Sequence, residues 1–385
     1  MNRVIKQRPT EAVIDLDALA SNFHSSRAFI GPDVKCMAVV KADAYGHGAI
    51  ECARRLEAEG IDWFGVAIPE EGFEIRKAGV KTPILCLGSF WPGQEGLLVE
   101  YDLSPVVYEI ETAKGLAQFA SAKGMNIDVH VKIDTGMHRL GVDFRLVKEF
   151  AEQLKTFENL RVTGLLTHFS SAEDPLENDF TGLQVKRFNE ACDLFRRAGH
   201  DPEWLDLANS PGAISHPKSR GNMVRIGGAL YGLLDDIMPK LTPQPVLKPV
   251  LSLRSQIAYV RSVAAGETLG YGRAFETTRD SLIALVPIGY ADGYPRGLSN
   301  RGRAWIKGNM ASVVGRISMD WTFLDVTDIS GVQTGDEVYL IGGGESHAVR
   351  AADLAREIGT IGYEITCGIS PRVCRRYIGA ENGVR

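Results

Sequence analysis

The chain has 385 residues, more than a typical single core accommodates and enough for two domains. Hydrophobic residues make up 44% and charged residues 24%, the mix of an ordinary folded protein rather than a disordered one. A net charge of −5 offers no basic field for a phosphate backbone, which argues against nucleic acid as a partner.

In chain order, Arg3, Lys6 and Arg8 are followed by no apolar stretch of the kind a secretory signal carries. No run anywhere approaches the ~18 apolar residues of a membrane span. Ala12–Leu16 reads as an opening strand, with an amphipathic helix from Asp17. Short apolar runs then alternate with segments of helical period. The runs are Val34–Val40, Trp63–Ile68, Pro83–Leu87, Leu103–Val107, Ile127–Ile133, Leu160–Thr167, Trp204–Leu207 and Met223–Ile226. Between them, Ala49–Glu59, Glu111–Lys123, Phe144–Lys155 and Asp179–Ala198 place apolar residues at intervals of three and four on one face. Eight strands, each followed by a helix or turn, is the count for a closed (β/α)8 TIM-like barrel, a fold of ~250 residues. An open doubly wound sheet is the alternative; such sheets often carry a Gly-rich phosphate loop after the first strand, and none stands here.

The prolines of 239–249 (PKLTPQPVLKP) break this rhythm and mark a linker. Beyond them the runs Val250–Val263, Ser281–Ile288, Ala304–Ile306, Ser312–Val314, Trp321–Val326 and Glu337–Ile341 read as strands separated by turn formers. A helix at Ala351–Ile358 and a closing strand at Arg372–Tyr377 complete a small, mainly antiparallel β domain. The predicted organisation is a barrel over 12–240 and a C-terminal β domain over 246–385, with strand 12–16 free to pair with the β domain. Gly342-Gly343-Gly344 follows a strand of that domain and reads as a turn, not a phosphate loop. Six scattered cysteines (Cys36, Cys52, Cys86, Cys192, Cys367, Cys374) without a C-x-x-C pair predict buried, reduced thiols and a cytoplasmic protein. No metal motif of the H-E-x-x-H or clustered Cys/His type occurs.

In a (β/α)8 barrel, chemistry occupies the C-terminal strand ends and the loops after them. Lys41 closes the first barrel strand; a snorkelling surface lysine is the alternative reading. Lys132, His138 and Arg139 lie at and after the fifth, His168 at the sixth, Asn209-Ser210 at the seventh, and Arg225 with Gly227-Gly228 at the eighth. Phosphate sites in such barrels often use the loops after strands seven and eight, where Ser210 and the accessible backbone donors of Gly227-Gly228 stand. A lysine in a barrel mouth forms Schiff bases once burial and neighbouring cations favour its neutral amine. A phosphate pocket facing such a lysine suits pyridoxal phosphate and a sugar-phosphate aldolase substrate equally. On the residues alone, Tyr271 also reads as a turn residue between glycines, His168 as a core histidine, Tyr290 and Tyr363 as packing aromatics, and Lys132 as a partner of Asp134.

The motifs narrow this. Val40–Gly48 (VKADAYGHG) resembles the pyridoxal-phosphate attachment motif of bacterial alanine racemases. The resemblance continues through Lys132–Gly141 (KIDTGMHRLG), Leu166–Phe169 (LTHF), Ala208–Ser210 (ANS), Val224–Gly232 (VRIGGALYG), Gly270–Arg273 (GYGR), Pro287–Tyr294 (PIGYADGY), Gly315–Asp320 (GRISMD) and Gly362–Arg372 (GYEITCGISPR). It implies racemisation of L- and D-alanine, supplying D-alanine for peptidoglycan, in a homodimer with shared sites. Lys41 would hold the cofactor as a Schiff base and act as base on one face, with Tyr271 of the partner subunit acting on the other. The cofactor would supply the electron sink. Arg225 would face the pyridine nitrogen without surrendering a proton, and His168 would bridge it to Tyr271. Arg139 would contact the cofactor's phenolic oxygen and the substrate carboxylate, steadied by an N-carboxylated Lys132. Tyr45, Ser210, Gly227 and Tyr363 would hold the phosphate, with Asn209 completing the cofactor-binding set. From the second subunit, Met319 would offer a backbone donor to the substrate carboxylate and Tyr290 would narrow the entrance, favouring a methyl side chain.

Two positions depart from the family. Gly362 stands where many relatives have proline, which predicts a looser loop for Tyr363. His138 stands where some have glycine and receives no catalytic role. A pyridoxal-phosphate decarboxylase of the same architecture is one alternative, but decarboxylation has no use for a proton-exchanging Tyr271. A non-catalytic pyridoxal-phosphate carrier is another, and it leaves the β domain unexplained.

Overall fold

The computed structural model describes residues 8–235, 237–238, 244–344 and 348–379; residues 239–243 of the predicted linker lie outside them. The chain opens with β1 (Glu11–Asp15) and proceeds through β2 (Lys35–Val39), β3 (Trp63–Val66), β4 (Ile84–Cys86), β5 (Leu103–Val107), β6 (Ile127–Asp134), the two-residue β7 (Val142–Asp143), β8 (Leu160–Leu166), β9 (Trp204–Asp206) and β10 (Met223–Ile226). All these pairings from β2 onward are parallel, and β7 merely flanks β6. The ring closes where β10 meets β2 (Arg225 opposite Met37) and β5 meets β6 (Val106 opposite His130). Closure leaves no edge strand and directs alternate side chains inward. Met37, Leu85, Val106, Leu166 and Met223, backed by Trp63 and Trp204, fill the interior, while the C-terminal rim brings Lys41, Lys132, Arg139, His168 and Arg225 to one cavity.

The opening strand does not join this barrel. It pairs antiparallel with β11 (Leu251–Gln256), and the remaining strands are β12 (Tyr259–Val263), the hairpin β13 (Thr268–Leu269) and β14 (Phe275–Glu276), β15 (Ser281–Val286), β16 (Arg303–Ile306), β17 (Asn309–Val313), β18 (Thr322–Asp325), β19 (Glu337–Ile341) and β20 (Cys374–Ile378). All but the hairpin join β1 in one nine-stranded sheet of order β12-β15-β18-β17-β16-β19-β11-β1-β20, antiparallel except between β1 and β20.

Several local readings change for identifiable reasons. The first helix spans Leu16–Ile30, because Asp15 ends the strand and caps the helix by accepting from the N–H groups of Asp17 and Ala18, both at 2.9 Å. The run 250–263 is two strands: Ile257 and Ala258 donate to Asp336 and Leu285, moving the chain from β19 to β15. The barrel strands stop at Leu166 and Asp206, before His168 and Asn209, so those two residues belong to loops. Cys367 and Cys374 are exposed, contrary to the expectation of buried thiols; the other four cysteines are buried and all six are free.

No helix among the described residues is long and apolar enough to cross a membrane. None of their His, Cys, Asp and Glu side chains forms a group of three or more suited to a metal ion.

Candidate active site

Lys41 leaves the barrel through an unusual turn. After Val40, residues Ala42, Asp43, Ala44 and Tyr45 adopt φ of +52° to +56°, a left-handed turn of four non-glycine residues. Such a conformation costs roughly 1–2 kcal/mol per residue, so its surroundings must impose it. Glu71 does part of this, accepting from Ala42 N with one oxygen and Ala67 N with the other, each at 2.7 Å. Asp43 accepts from Ala49 N at 2.8 Å, and Arg375 of the β domain donates to Gly46 O at 3.3 Å. Gly46 has φ +84°, and a Cβ there would fall 2.1 Å from Thr366 O, so only glycine fits between the turn and the second domain.

Lys41 opens into a cavity of about 830 Å³ at the barrel rim. Tyr45, Lys132, Arg139, His168, Asn209, Ser210, Arg225, Gly227 and Tyr363 line the same cavity. Burial and then Arg139 push the Lys41 amine below its ordinary range, with Glu71 opposing. Lys132 is buried inside the barrel and is lowered to about 8 by burial, Arg225, Arg139 and Lys41. Its Nζ donates to Leu87 O at 3.5 Å; Asp134, the partner suggested by the alternative reading, lies instead 3.2 Å from exposed His138. The Arg139 guanidinium has no hydrogen bond or ion pair among the described residues and is available to an incoming carboxylate.

On the opposite wall the donors suit a phosphate. Asn209 caps the short helix Ser210–Ser215, accepting from Gly212 N at 3.0 Å, and so fixes Ser210 at its start. Ser210 Oγ accepts from Gly227 N at 2.9 Å, so this backbone donor is engaged rather than free as expected. The rings of Tyr45 and Tyr363 meet edge-on at 5.2 Å. A Cβ on Gly227 would lie 2.5 Å from Tyr45 Oη, and one on Gly228 only 1.9 Å from Tyr363 Oη. The glycines therefore let two phenols settle on bare backbone, where burial raises the Tyr45 hydroxyl and keeps it a donor. Tyr363 sits in the first turn of the helix Gly362–Cys367, after the buried Gly362. Hydroxyl and N–H donors opposite a lysine form a donor set that fits pyridoxal phosphate.

Between these walls stands Arg225, 3% exposed. Its guanidinium donates to Thr167 O at 2.7 Å and to Leu207 O and Asp206 O at 3.1 Å. Nη1 also lies 2.6 Å from Asp206 Oδ1. Nη2 lies 3.3 Å from His168 Nδ1. Because arginine has no acceptor, Nδ1 must accept, which leaves the proton of a neutral imidazole on Nε2. Burial, followed by Arg225 and Arg139, holds His168 well below its usual range, in that neutral form.

Residues that sequence reading overlooked support this arrangement. Asp206 lies beside Arg225; burial pushes its carboxyl up, while Arg225 and then Lys132 pull it down. Its signal was an acid at a barrel strand end. Buried Gln184 donates to Thr135 Oγ1 and His168 O, both at 3.1 Å, and accepts from Ser170 N at 3.2 Å, tying the loops after β6 and β8 together. Nothing in the helical pattern marked it.

Tyr271, Tyr290 and Met319 do not line the cavity. They lie on the second domain, exposed by 72%, 43% and 53% respectively. Tyr271 tops the β13–β14 hairpin between Gly270 and Gly272, both at φ +67°. Tyr290 and Met319 share one surface, since Tyr290 N donates to Ser318 O and Ala291 N to Met319 O.

The alanine racemase N-terminal domain family model matches residues 14–235, and the C-terminal domain model matches residues 250–377. An alanine racemase of Halothermothrix orenii is 43% identical over 379 residues, covering 98% of each chain. The structure of an alanine racemase from Clostridium difficile 630 matches with a TM-score of 0.90 at 37% identity, covering 97% of both chains. That of an alanine racemase from Bartonella henselae, described with covalently bound pyridoxal phosphate, matches with a TM-score of 0.86 at 30% identity, covering 96% of this chain and 99% of that one. With both domains matched in order along nearly the whole chain, and a lysine-bearing barrel mouth in the same architecture, the chain belongs to the alanine racemase family of enzymes.

Proposed function

We propose that this enzyme interconverts L- and D-alanine on pyridoxal phosphate attached at Lys41, with Lys41 and Tyr271 of the partner subunit as the two bases. The observation that carries the reading is the convergence of Lys41, the Arg225–His168 pair and the Ser210–Tyr45–Tyr363 cradle on one cavity, while Tyr271 stands exposed outside it. When bound, the cofactor supplies an electron sink that acidifies the α-proton.

The protein's own groups do the rest. Lys41, with its amine favoured in the neutral form, takes or returns a proton at one face of the α-carbon. Tyr271 of the partner subunit does so at the other face, as inversion requires. His168 Nε2 is a donor available to that phenol, while its Nδ1 rests on Arg225. Arg225 faces the ring nitrogen as a hydrogen-bond donor that cannot give up its proton. Ser210, Tyr45 and Tyr363 would hold the phosphate, with Asn209 and the Gly227 N–H fixing Ser210, and Arg139 would take the substrate carboxylate. Lys132, lowered to about 8, has a reactive neutral fraction near neutral pH. Addition of its amine to carbon dioxide, with loss of one proton, would give the carboxylated side chain that pairs with Arg139. From the partner subunit, the Met319 backbone completes the carboxylate site and Tyr290 narrows the entrance to a methyl-sized side chain. The enzyme would work as a homodimer in the cytoplasm, supplying D-alanine for peptidoglycan.

The test is direct. Protein purified with pyridoxal phosphate should form D-alanine from L-alanine and show visible absorbance that borohydride bleaches. Absence of both would end this reading.

A further inference from the structure

Among the described residues two carboxylates are wholly buried, Asp206 and Asp292, both 0% exposed. Asp292 is matched in the β domain by Arg8 and Arg372 and accepts from Gly289 N. Asp206 is placed differently. It ends β9 behind the cavity lined by Lys132 and Arg225, and these are the two cations whose charge acts on it. Its Oδ1 lies 2.6 Å from Arg225 Nη1, yet neither carboxylate oxygen has an aligned hydrogen bond. The contact is one of charge rather than of direction. Direction comes from elsewhere: the carbonyls of Thr167, Asp206 and Leu207 fix the guanidinium plane but carry no net charge.

We propose that Asp206 is a positioning residue for racemisation, neutralising Arg225 so that an ion pair, rather than a bare cation, faces the cofactor's ring nitrogen. This rests on the reading that Arg225 faces that nitrogen. A guanidinium backed by a carboxylate exerts a weaker pull on an acceptor than the same group left as an uncompensated cation in a low-dielectric site. With Asp206 removed, Arg225 would draw more negative charge into the ring during turnover. Charge drawn into the ring favours returning the proton to the cofactor carbon instead of the α-carbon. Hydrolysis then releases one pyruvate for each cofactor converted to its amine form, an error the ion pair suppresses.

The experiment compares holoenzyme of wild type, Asp206→Asn and Asp206→Glu. Pyruvate released per racemisation and the ¹⁵N chemical shift of ring-labelled cofactor are measured together with thermal unfolding. Asp206→Asn, close in shape but uncharged, should raise pyruvate per turnover about tenfold, the scale of one unpaired neighbouring charge. It should also move the ring-nitrogen shift toward stronger hydrogen bonding. Asp206→Glu, bulkier but charged, should keep both near wild type even if it unfolds at lower temperature. A purely packing role predicts the opposite order, with Glu the more damaging and neither variant altering the partition or the shift; that result overturns the proposal. If Asp206→Asn does not fold, Asp206→Ser takes its place with the same two outcomes. Wild-type protein without a bleachable chromophore would instead defeat the parent reading, so the two failures are distinct.

Discussion

The barrel mouth and the loop face of the β domain are built in opposite ways. At the mouth, Lys132, Ser210 and Arg225 are buried, and Ser210 and Arg225 are fixed by hydrogen bonds to neighbouring strands and loops. On the β domain, Tyr271, Tyr290 and Met319 project from turns into solvent, and none reaches the cavity of its own chain. On the proposed function, folding of one chain would complete the first half of the site, while the second half would be a surface whose use depends on assembly. The two halves should consequently answer differently to mutation: changes at the mouth affect stability and chemistry together, and changes on the loop face affect chemistry alone.

The largest effect belongs to Lys41. Lys41→Ala should lower racemisation by more than about 10⁴-fold, since the proposed attachment point and one proposed base are lost together, and should abolish the borohydride-bleached absorbance. Tyr271→Phe sharpens the contrast. It should cost about 10²–10⁴-fold in activity, with proton abstraction from one enantiomer slowed more than from the other in isotope exchange. Removing one exposed hydroxyl should leave the unfolding free energy within about 0.5 kcal/mol of wild type. Equal slowing of both enantiomers, or a large loss of stability, would break the comparison. Arg225→Met should do the reverse, destabilising cofactor-free protein by about 3–5 kcal/mol in urea unfolding because Asp206 is left as an unpaired buried charge.

A smaller, graded effect comes from two buried histidines that do not line the cavity. His47 and His130 are both pushed down to about 4 by burial. Unfolded imidazoles take up protons near pH 6.5 while these two in the folded chain refuse them, so stability falls with pH between about 6.5 and 4. The loss reaches about 1.4 kcal/mol per pH unit for each residue. Urea midpoints measured across that window should show the slope, and His130→Phe should flatten it; a flat wild-type profile would contradict the burial of both rings.

How much of this was legible in the sequence follows the same division. The barrel was readable because short strands rich in apolar residues recur between segments of helical period, and Lys41 and Arg225 stood out as charges at or near the ends of such runs. The left-handed turn after Lys41 was not, since Ala-Asp-Ala-Tyr is unremarkable in propensity and the conformation is imposed by Glu71, Gly46 and the second domain. The β13–β14 hairpin was invisible because two-residue strands leave no alternation to detect, and the break at 257–258 was hidden by alternation that continues across it. Asp206 could be seen at a strand end, but its worth depends on Arg225 lying on the neighbouring strand. The role given to Tyr271 came from family resemblance alone, because no property of one chain points to a residue acting in another.

Subunit mixing examines the shared site most directly. Lys41→Ala and Tyr271→Ala proteins, each inactive alone, are denatured together and refolded with cofactor. In a two-fold dimer each hybrid regains one site with both native bases, so the mixture should recover about a quarter of wild-type activity. If Lys41 and Tyr271 served the same chain, no pairing of subunits would restore a complete site, and a mixture as inactive as its parents would contradict the account.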